Sequence, residues 1–169
     1  MDLYEAIKNR YSVRAFLDKE IEKDKLARIL EAARLAPSAR NRQEWKLVVV
    51  RDAEVQQALA QAAEQPFVGQ APVVIAAVGL TPEQTMYCDV PTDPVDCAIV
   101  LEHVALAATA EGLGTCWIGH FKQDECRKVL GVPDSARVIE LMPLGYPAAE
   151  PGPKTRKSLK ETVCHDKFS

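Results

Sequence analysis

Apolar positions recur along this chain with two periods, one typical of helices and one typical of buried strands. Apolar residues three and four positions apart predict helices, whereas short continuous apolar or β-branched runs predict strands covered on both faces. Helices are expected over 2–9, 23–36, 52–64, 94–110 and 124–130, and strands over 45–50, 73–78, 115–119 and 137–144. Asp2 and Glu5 are expected to cap the first helix, with Leu3 and Ile7 on its inward face, Asp93 to cap the helix from 94, and Gly131 to end the helix from 124. This order predicts an α/β (α+β) fold, a single domain over 1–169 whose central mixed β-sheet is flanked by helices.

The helix expected over 94–110 is the most apolar segment of the chain. From 98 to 110 its only polar side chains are Glu102, His103 and Thr109. A helix that is apolar around its circumference is buried on all sides, so this one is expected both in the core and at a subunit interface. His103 is interpreted as a satisfied core or interface histidine rather than a catalytic one.

Proline becomes frequent near the end of the chain. Four of the eleven prolines fall between Pro143 and Pro153, so 146–169 is expected to form an extended C-terminal arm. Lys154 and Arg156 stand at alternate positions of this arm and would therefore face the same side of it. The alternative interpretation of these two cations is a solvated basic tail.

The segment 10–16 has the same spacing of polar groups. Arg10, Ser12 and Arg14 alternate with the apolar side chains, so in an extended chain they face one side. Two guanidinium groups and a hydroxyl suit an anion with several oxygens, such as phosphate. A solvated edge segment with two surface arginines remains the alternative.

Two further segments are candidates for ligand contacts. The polar loop 37–43 joins a predicted helix to a predicted strand, which is a usual place for binding residues. The predicted strand 115–119 follows Gly112 and Gly114 and ends on Gly119. A backbone without a side chain at that point can approach a flat ligand closely.

Composition and net charge disfavour several classes of protein for this chain. Apolar residues make up 47% of the chain, charged residues 27%, and the net charge is -3, which together disfavour disorder, nucleic-acid binding and an anionic membrane surface as partner. The first residues have no signal-peptide pattern and no apolar run approaches membrane-spanning length, so a cytoplasmic location is expected. Five cysteines without a Cys-x-x-Cys pair indicate reduced thiols. Cys88 and Cys97 with His103 form only a weak candidate metal site, and no metal is expected.

Taken together, the polar segments resemble the nitroreductase family of FMN-dependent NAD(P)H oxidoreductases. In chain order the resemblance is carried by R-x-S-x-R-x-F over 10–16, P-S-A-x-N-x-Q-x-W over 37–45, G-L-G-x-C-W-I-G over 112–119, and G-Y-P over 145–147 with K-x-R over 154–156. Four motifs in the right order are far more specific than any one of them. Departures are Glu44, where the family often has proline, and Ile118, where some members have an acidic residue.

The resemblance implies a nitroreductase-like fold, an obligate homodimer and an FMN site at its interface. The phosphate of FMN would be held by Arg10, Ser12, Lys154 and Arg156, and Arg14 would lie near N1 and O2 of the flavin. The partner subunit would contribute Ser38, Ala39 and Asn41, and Ile118 with Gly119 would place a backbone N–H near N5. The sequence makes Leu101 and Val104 candidates for the partner-facing side of the long helix.

The implied activity is hydride transfer from NAD(P)H to flavin N5, then transfer of two electrons to a nitroaromatic, quinone or other small acceptor in a ping-pong scheme. The flavin carries the chemistry, so no side chain is expected to act as acid or base. A dehalogenase or desaturase using the same flavin is one alternative. A non-catalytic flavin-binding redox sensor or FMN store is another.

The connection 80–94 leaves little room for a helical lid over the substrate.

Overall fold

Helices and strands alternate along residues 1–168, the part of the chain that the computed structural model describes. The helices are α1 Leu3–Asn9, α2 Lys23–Arg34, α3 Ala53–Ala62, α4 Thr92–Ala110, α5 Gln123–Leu130 and α6 Leu159–Thr162, and the strands are β1 Trp45–Val50, β2 Val73–Gly79, β3 Gly114–Thr115 and β4 Arg137–Gly145. The predicted order is confirmed, but the strand expected over 115–119 is wrong in extent: β3 covers only Gly114–Thr115, and beyond it Ile118 forms an isolated bridge with Leu141. The sequence did not predict α6 or the 3-10 turns Ala39–Asn41 and Pro66–Gln70.

The four strands form one sheet in the order β1-β2-β4-β3, and every neighbouring pair is antiparallel. The α+β class is thus confirmed, but the strands are not mixed in direction as expected. The only parallel pairing within residues 1–168 is an isolated bridge between Ser12 and Thr115. Alternating helices and strands permit parallel pairing without imposing it, because intervening turns can bring the chain back in the opposite direction.

Burial differs between the central and the edge strands. All seven residues of β2 are buried, as its continuous apolar run predicts. In β1 only Val50 is buried and Lys46 is exposed, although the same pattern predicted a buried strand. The reason is position, since β1 is an edge strand and has a neighbour on one side only.

The sheet has a core on each face. Alternate residues of β2 point to opposite faces, so Val73 and Ile75 pack with α2 and α4, whereas Val74 and Ala76 pack with α3 and α5. The first core contains Ile29 of α2 and most of the buried side of α4. Helix α4 therefore occupies the centre of one layer, as its composition predicted.

Helix α4 starts earlier than expected, and the residues expected on its partner-facing side are buried. It begins at Thr92, and Asp93 accepts hydrogen bonds from the backbone N–H and hydroxyl of Thr81 instead of capping the helix. Leu101 and Val104 have no exposed surface in the single chain, so neither lies on a partner-facing side. Nδ1 of His103 lies 3.0 Å from the Ala32 carbonyl oxygen, which agrees with a satisfied histidine.

Apolar side chains at both ends of the chain remain uncovered. In α1 the capping box of Asp2 and Glu5 forms as predicted, but Leu3 and Ile7 are 61% and 52% exposed instead of facing the core. The predicted arm is exposed from Ala148 onward and is interrupted by α6, so it is not extended throughout. No helix within residues 1–168 is both long and apolar enough to cross a bilayer.

Candidate functional site

Three of the four sequence motifs converge at one edge of the sheet. The Val13 N–H donates to the Thr115 carbonyl at 2.9 Å, which holds the first motif against β3. The Leu17 N–H donates to the Tyr146 carbonyl and the Ala148 N–H to the Ala15 carbonyl, both at 2.9 Å. The segment 10–17 therefore lies between the third motif and the start of the C-terminal segment.

Glycines make this close packing possible. A Cβ atom at Gly114 would lie 2.3 Å from Cγ2 of Val13, and one at Gly145 would lie 2.6 Å from the Pro72 ring. Neither position has room for a side chain. The glycines of the third and fourth motifs are thus required where the segments that carry the cations meet.

The cations of the first and fourth motifs form an unneutralised cluster. Partial loss of water around its ammonium group lowers the pKa of Lys154, although the residue is mostly exposed, and the nearby charges of Arg10 and Arg156 lower it further. The Lys154 ammonium donates to the Lys8 carbonyl. Within residues 1–168 none of these three cations, nor Arg14, forms an ion pair with a carboxylate. Cations gathered without a counter-charge fit the phosphate of a bound cofactor.

The Cys116 thiol shows that the first motif points toward the third. Burial raises the pKa of Cys116, while the nearby side chains of Arg14, Ser12 and Arg10 lower it to a smaller extent. These three polar groups are therefore close to the start of the 116–119 run, as alternation along 10–14 predicted. The net shift is upward, so the thiol is neutral at pH 7 and is not an activated nucleophile.

The backbone N–H groups of Ile118 and Gly119 differ in whether they are already used. The Ile118 N–H donates to the Leu141 carbonyl at 2.9 Å, so it is already used in pairing with β4. Gly119 is exposed, and its N–H has no acceptor within residues 1–168. Of the two residues expected near N5, Gly119 has the available N–H.

Glu140 of β4 lies beside this glycine. Its carboxylate oxygens would be 3.3 and 3.4 Å from a Cβ atom at Gly119. Burial raises the pKa of Glu140, and no cation pairs with it within residues 1–168. Glu140 was not among the expected site residues, although a lone acidic residue in an apolar strand is visible in the sequence.

The loop 38–43, which carries the second motif, is held in an unusual conformation. Arg40, Asn41 and Gln43 have φ values of 53°, 54° and 56°. The Ser38 hydroxyl accepts from the Gln43 N–H at 3.0 Å, and the Ala39 N–H donates to the Asp96 carboxylate at 3.0 and 3.2 Å.

Asp96 connects this loop to α4. It is 4% exposed, and the loop N–H that it accepts from comes from a residue 57 positions earlier in the chain. Asp96 was not among the expected site residues, because an acidic residue in the first turns of a helix is usually explained by the helix dipole. The only signal in the sequence was its position directly before the apolar run 97–101.

In one chain the loop 38–43 lies far from the cation cluster. The loop precedes Trp45, which pairs with Gly79 at one end of β2, whereas Thr115 pairs with Leu144, which pairs with Val73 at the other end. The separation is about 20 Å along the strands and about 14 Å across them. Ser38, Ala39 and Asn41 therefore do not meet Arg10, Ser12, Lys154 and Arg156 within a single subunit.

Comparisons with known proteins agree with these motifs. Residues 7–65 and 57–146 match the sequence model of the nitroreductase family. A Methanothermobacter thermautotrophicus protein provisionally named NADH dehydrogenase/NAD(P)H nitroreductase is 32% identical over 165 residues, covering 90% of this chain and 81% of the relative.

Solved structures give the same result. A nitroreductase family protein from Clostridium difficile 630 has a TM-score of 0.90 and 31% identity, over 99% of this chain and 100% of that one. An FMN-dependent nitroreductase from Clostridium difficile R20291 has a TM-score of 0.85 and 28% identity, over 96% and 98%. This chain therefore belongs to the nitroreductase family.

Proposed function

We propose that this protein is an FMN-dependent NAD(P)H oxidoreductase whose residues 1–169 act as one FMN-binding domain. The observation that carries the proposal is the unneutralised cluster of Arg10, Lys154 and Arg156 at the point where three motifs meet. The names of the relatives, one for NAD(P)H and one for FMN, support the same cofactors. When bound, FMN would supply two-electron chemistry, accepting hydride from NAD(P)H and reducing a nitroaromatic, quinone or other small acceptor in ping-pong order.

The phosphate of FMN would be held by the cation cluster and the Ser12 hydroxyl. A phosphate monoester carries close to two negative charges at neutral pH, so Arg10, Lys154 and Arg156 would neutralise it and Ser12 would orient it. Binding would also relieve the repulsion among the cations that lowers the Lys154 pKa. The residues present therefore fit the group.

The remaining roles follow from position along the same edge. The Arg14 guanidinium would lie by the pyrimidine edge of the flavin and stabilise negative charge there. The Gly119 N–H, which has no acceptor within residues 1–168, would donate to the central ring, with Ile118 holding it in place through β4.

A homodimer would bring the second motif to the site. Because loop 38–43 lies far from the cations of its own chain, Ser38, Ala39 and Asn41 would contact the flavin of the partner subunit. The exposed apolar face of α1 would contribute to the contact between subunits. The C-terminal segment 146–169 would serve as an arm, and a cytoplasmic location with a small-molecule acceptor suits such an enzyme.

The test is an anaerobic titration of the purified protein with FMN, then with NADH or NADPH, then with a nitroaromatic or a quinone. Flavin absorbance should fall on addition of the donor and return on addition of the acceptor. A protein that binds FMN but is not reduced by either donor would be a binding protein and would contradict the enzymatic proposal.

Two single-residue variants test the phosphate assignment. Arg156→Glu should weaken FMN binding by about tenfold or more, because a charge-assisted contact is replaced by repulsion. Lys157→Glu makes the same charge change one residue away and should alter affinity far less. Equal affinities of the two variants, measured at one ionic strength, would place the phosphate elsewhere.

A further inference from the structure

A cationic cavity lies at the opposite corner of the sheet from the cation cluster. Its volume is about 440 Å³, and it separates the loop 38–43 from the connection 80–91. Ala39, Arg40 and Arg42 line one side, and Thr85, Met86 and Tyr87 line the other. None of the four motifs accounts for either arginine.

The charge in this cavity is positive. Of the residues from 1 to 168 that line it, Arg40 and Arg42 are the charged ones. Arg42 is partly neutralised by Glu44, with its guanidinium 3.7 Å from the carboxylate. Arg40 has neither an ion pair nor a side-chain hydrogen bond within residues 1–168, so its guanidinium is available to a ligand.

On the arginine side of the cavity, the backbone of Arg40 is held in a conformation of high energy. The φ value of 53° at Arg40 lies in the left-handed region, which a residue with a long side chain rarely adopts. Such residues persist only where the surroundings hold them, and they cluster at ligand-binding sites. Here the surroundings are the Asp96 carboxylate, which accepts from the Ala39 N–H, and the Ser38 hydroxyl.

The other side of the cavity, formed by the connection 80–91, is held by backbone hydrogen bonds without a ligand. The Met86 N–H donates to the Val90 carbonyl at 2.8 Å, and the Thr92 N–H donates to the Gln84 carbonyl at 3.0 Å. The Gln84 side-chain oxygen is buried and accepts no hydrogen bond within residues 1–168. A ligand that carries hydroxyl or amide donors as well as an anionic group would satisfy it.

We propose that this cavity binds an oxyanion of the substrate that approaches the flavin, with Arg40 as its main contact. The proposal rests on the proposed function, because Ala39 belongs both to this cavity and to the loop expected at the partner's flavin. An anion held here lies beside the reacting ring and away from the FMN phosphate. Two sources share this chemistry, namely the phosphates of NAD(P)H and the carboxylate of an acidic acceptor.

The main variant is Arg40→Asn, which removes the charge while keeping a residue that tolerates a positive φ. The matched control is Arg51→Asn, since Arg51 is an exposed arginine just past the far end of β1. Both variants change the net charge equally. Melting temperatures of both proteins verify that they fold.

Steady-state kinetics separate the two sources of the anion. In the donor arm, NADPH and NADH are compared with uncharged 1-benzyl-1,4-dihydronicotinamide. In the acceptor arm, 4-nitrobenzoate is compared with 4-nitrobenzamide. Arg40→Asn should raise KM about tenfold for the charged member of one pair, which identifies the source, and leave the neutral member unchanged. Arg51→Asn should change neither.

Binding of inorganic pyrophosphate to the FMN-saturated protein, measured by calorimetry, gives a readout apart from turnover. Arg40→Asn should weaken it and Arg51→Asn should not. Unchanged pyrophosphate binding, or an equal rise in KM for charged and neutral substrates, would overturn the inference. Wild-type protein that fails to turn over with any donor would contradict the proposed function instead, and pyrophosphate binding would still decide whether the cavity takes an oxyanion.

Discussion

At the scale of single residues, Glu140 is the least expected group beside the proposed flavin. It is half-buried next to Gly119 and has no cationic partner within residues 1–168. Burial removes water from the carboxylate and so favours its neutral form. The protein therefore loses stability when Glu140 ionises.

The sign of this effect gives a prediction for Glu140→Gln. The pKa of Glu140 in the folded protein lies above its ordinary value of 4.5. Its contribution to the free energy of unfolding is therefore fully present below pH 4.5 and is lost as the pH rises through the folded-state pKa. The variant without flavin should melt above wild type at pH 7, and the difference should vanish near pH 4. Thermal melts at both pH values, with exposed Glu20→Gln as control, check it. A variant that melts below wild type at pH 7 would mean that Glu140 has a stabilising partner.

At the scale of elements, the loop 38–43 depends on α4 for its shape. Three of its residues have positive φ, and its most buried tether is the bond from the Ala39 N–H to Asp96. A loop with this much backbone strain stays in one conformation only while its tethers hold. Since the loop lies between both proposed sites, its order is a condition for each.

Removing the tether should loosen the loop more than the fold. Asp96→Ala leaves the Ala39 N–H without its acceptor, a loss of about 1–3 kcal/mol. Trypsin should then cleave faster after Arg40 and Arg42 than in wild type. Asp52→Ala, which removes the N-cap of α3 at a cost of about 1 kcal/mol, is the control and should not accelerate cleavage there. Equal cleavage of wild type and Asp96→Ala would show that the loop is held by other contacts.

At the scale of the whole molecule, the proposed site requires two chains. The cation cluster and the loop 38–43 lie at diagonally opposite corners of one sheet. The separation of about 20 Å along the strands and about 14 Å across them is the reason to propose that they contact two different flavins. In a symmetric dimer each chain would offer one half of each of two identical sites.

Mixing two inactive variants tests the shared site. One carries Lys154→Glu with Arg156→Glu, and the other carries Ser38→Ala with Asn41→Gly. After joint refolding at equal amounts, half of the dimers are mixed and one of their two sites is intact. About a quarter of wild-type activity should return. Mixtures that stay as inactive as each variant alone would locate the complete site within one chain.

Local features of this protein were determined by its sequence alone. Asp2 and Glu5 form the predicted capping box, Gly131 ends α5 with a φ of 65°, and β1 has the predicted bounds. The motif residues and their resemblance to the family were also visible. These features depend on residues close together along the chain, so their spacing is sufficient to predict them.

Tertiary structure alone decided the direction of the strands, the exposure of individual side chains and the distance between the two parts of the proposed site. Strand direction, the edge position of β1, the burial of Leu101 and the bond between Ala39 and Asp96 all depend on contacts between distant parts of the chain. So does the distance between the cation cluster and the loop 38–43. Local spacing carries no information about such contacts, because they arise only when packing against the sheet sets the position of each element.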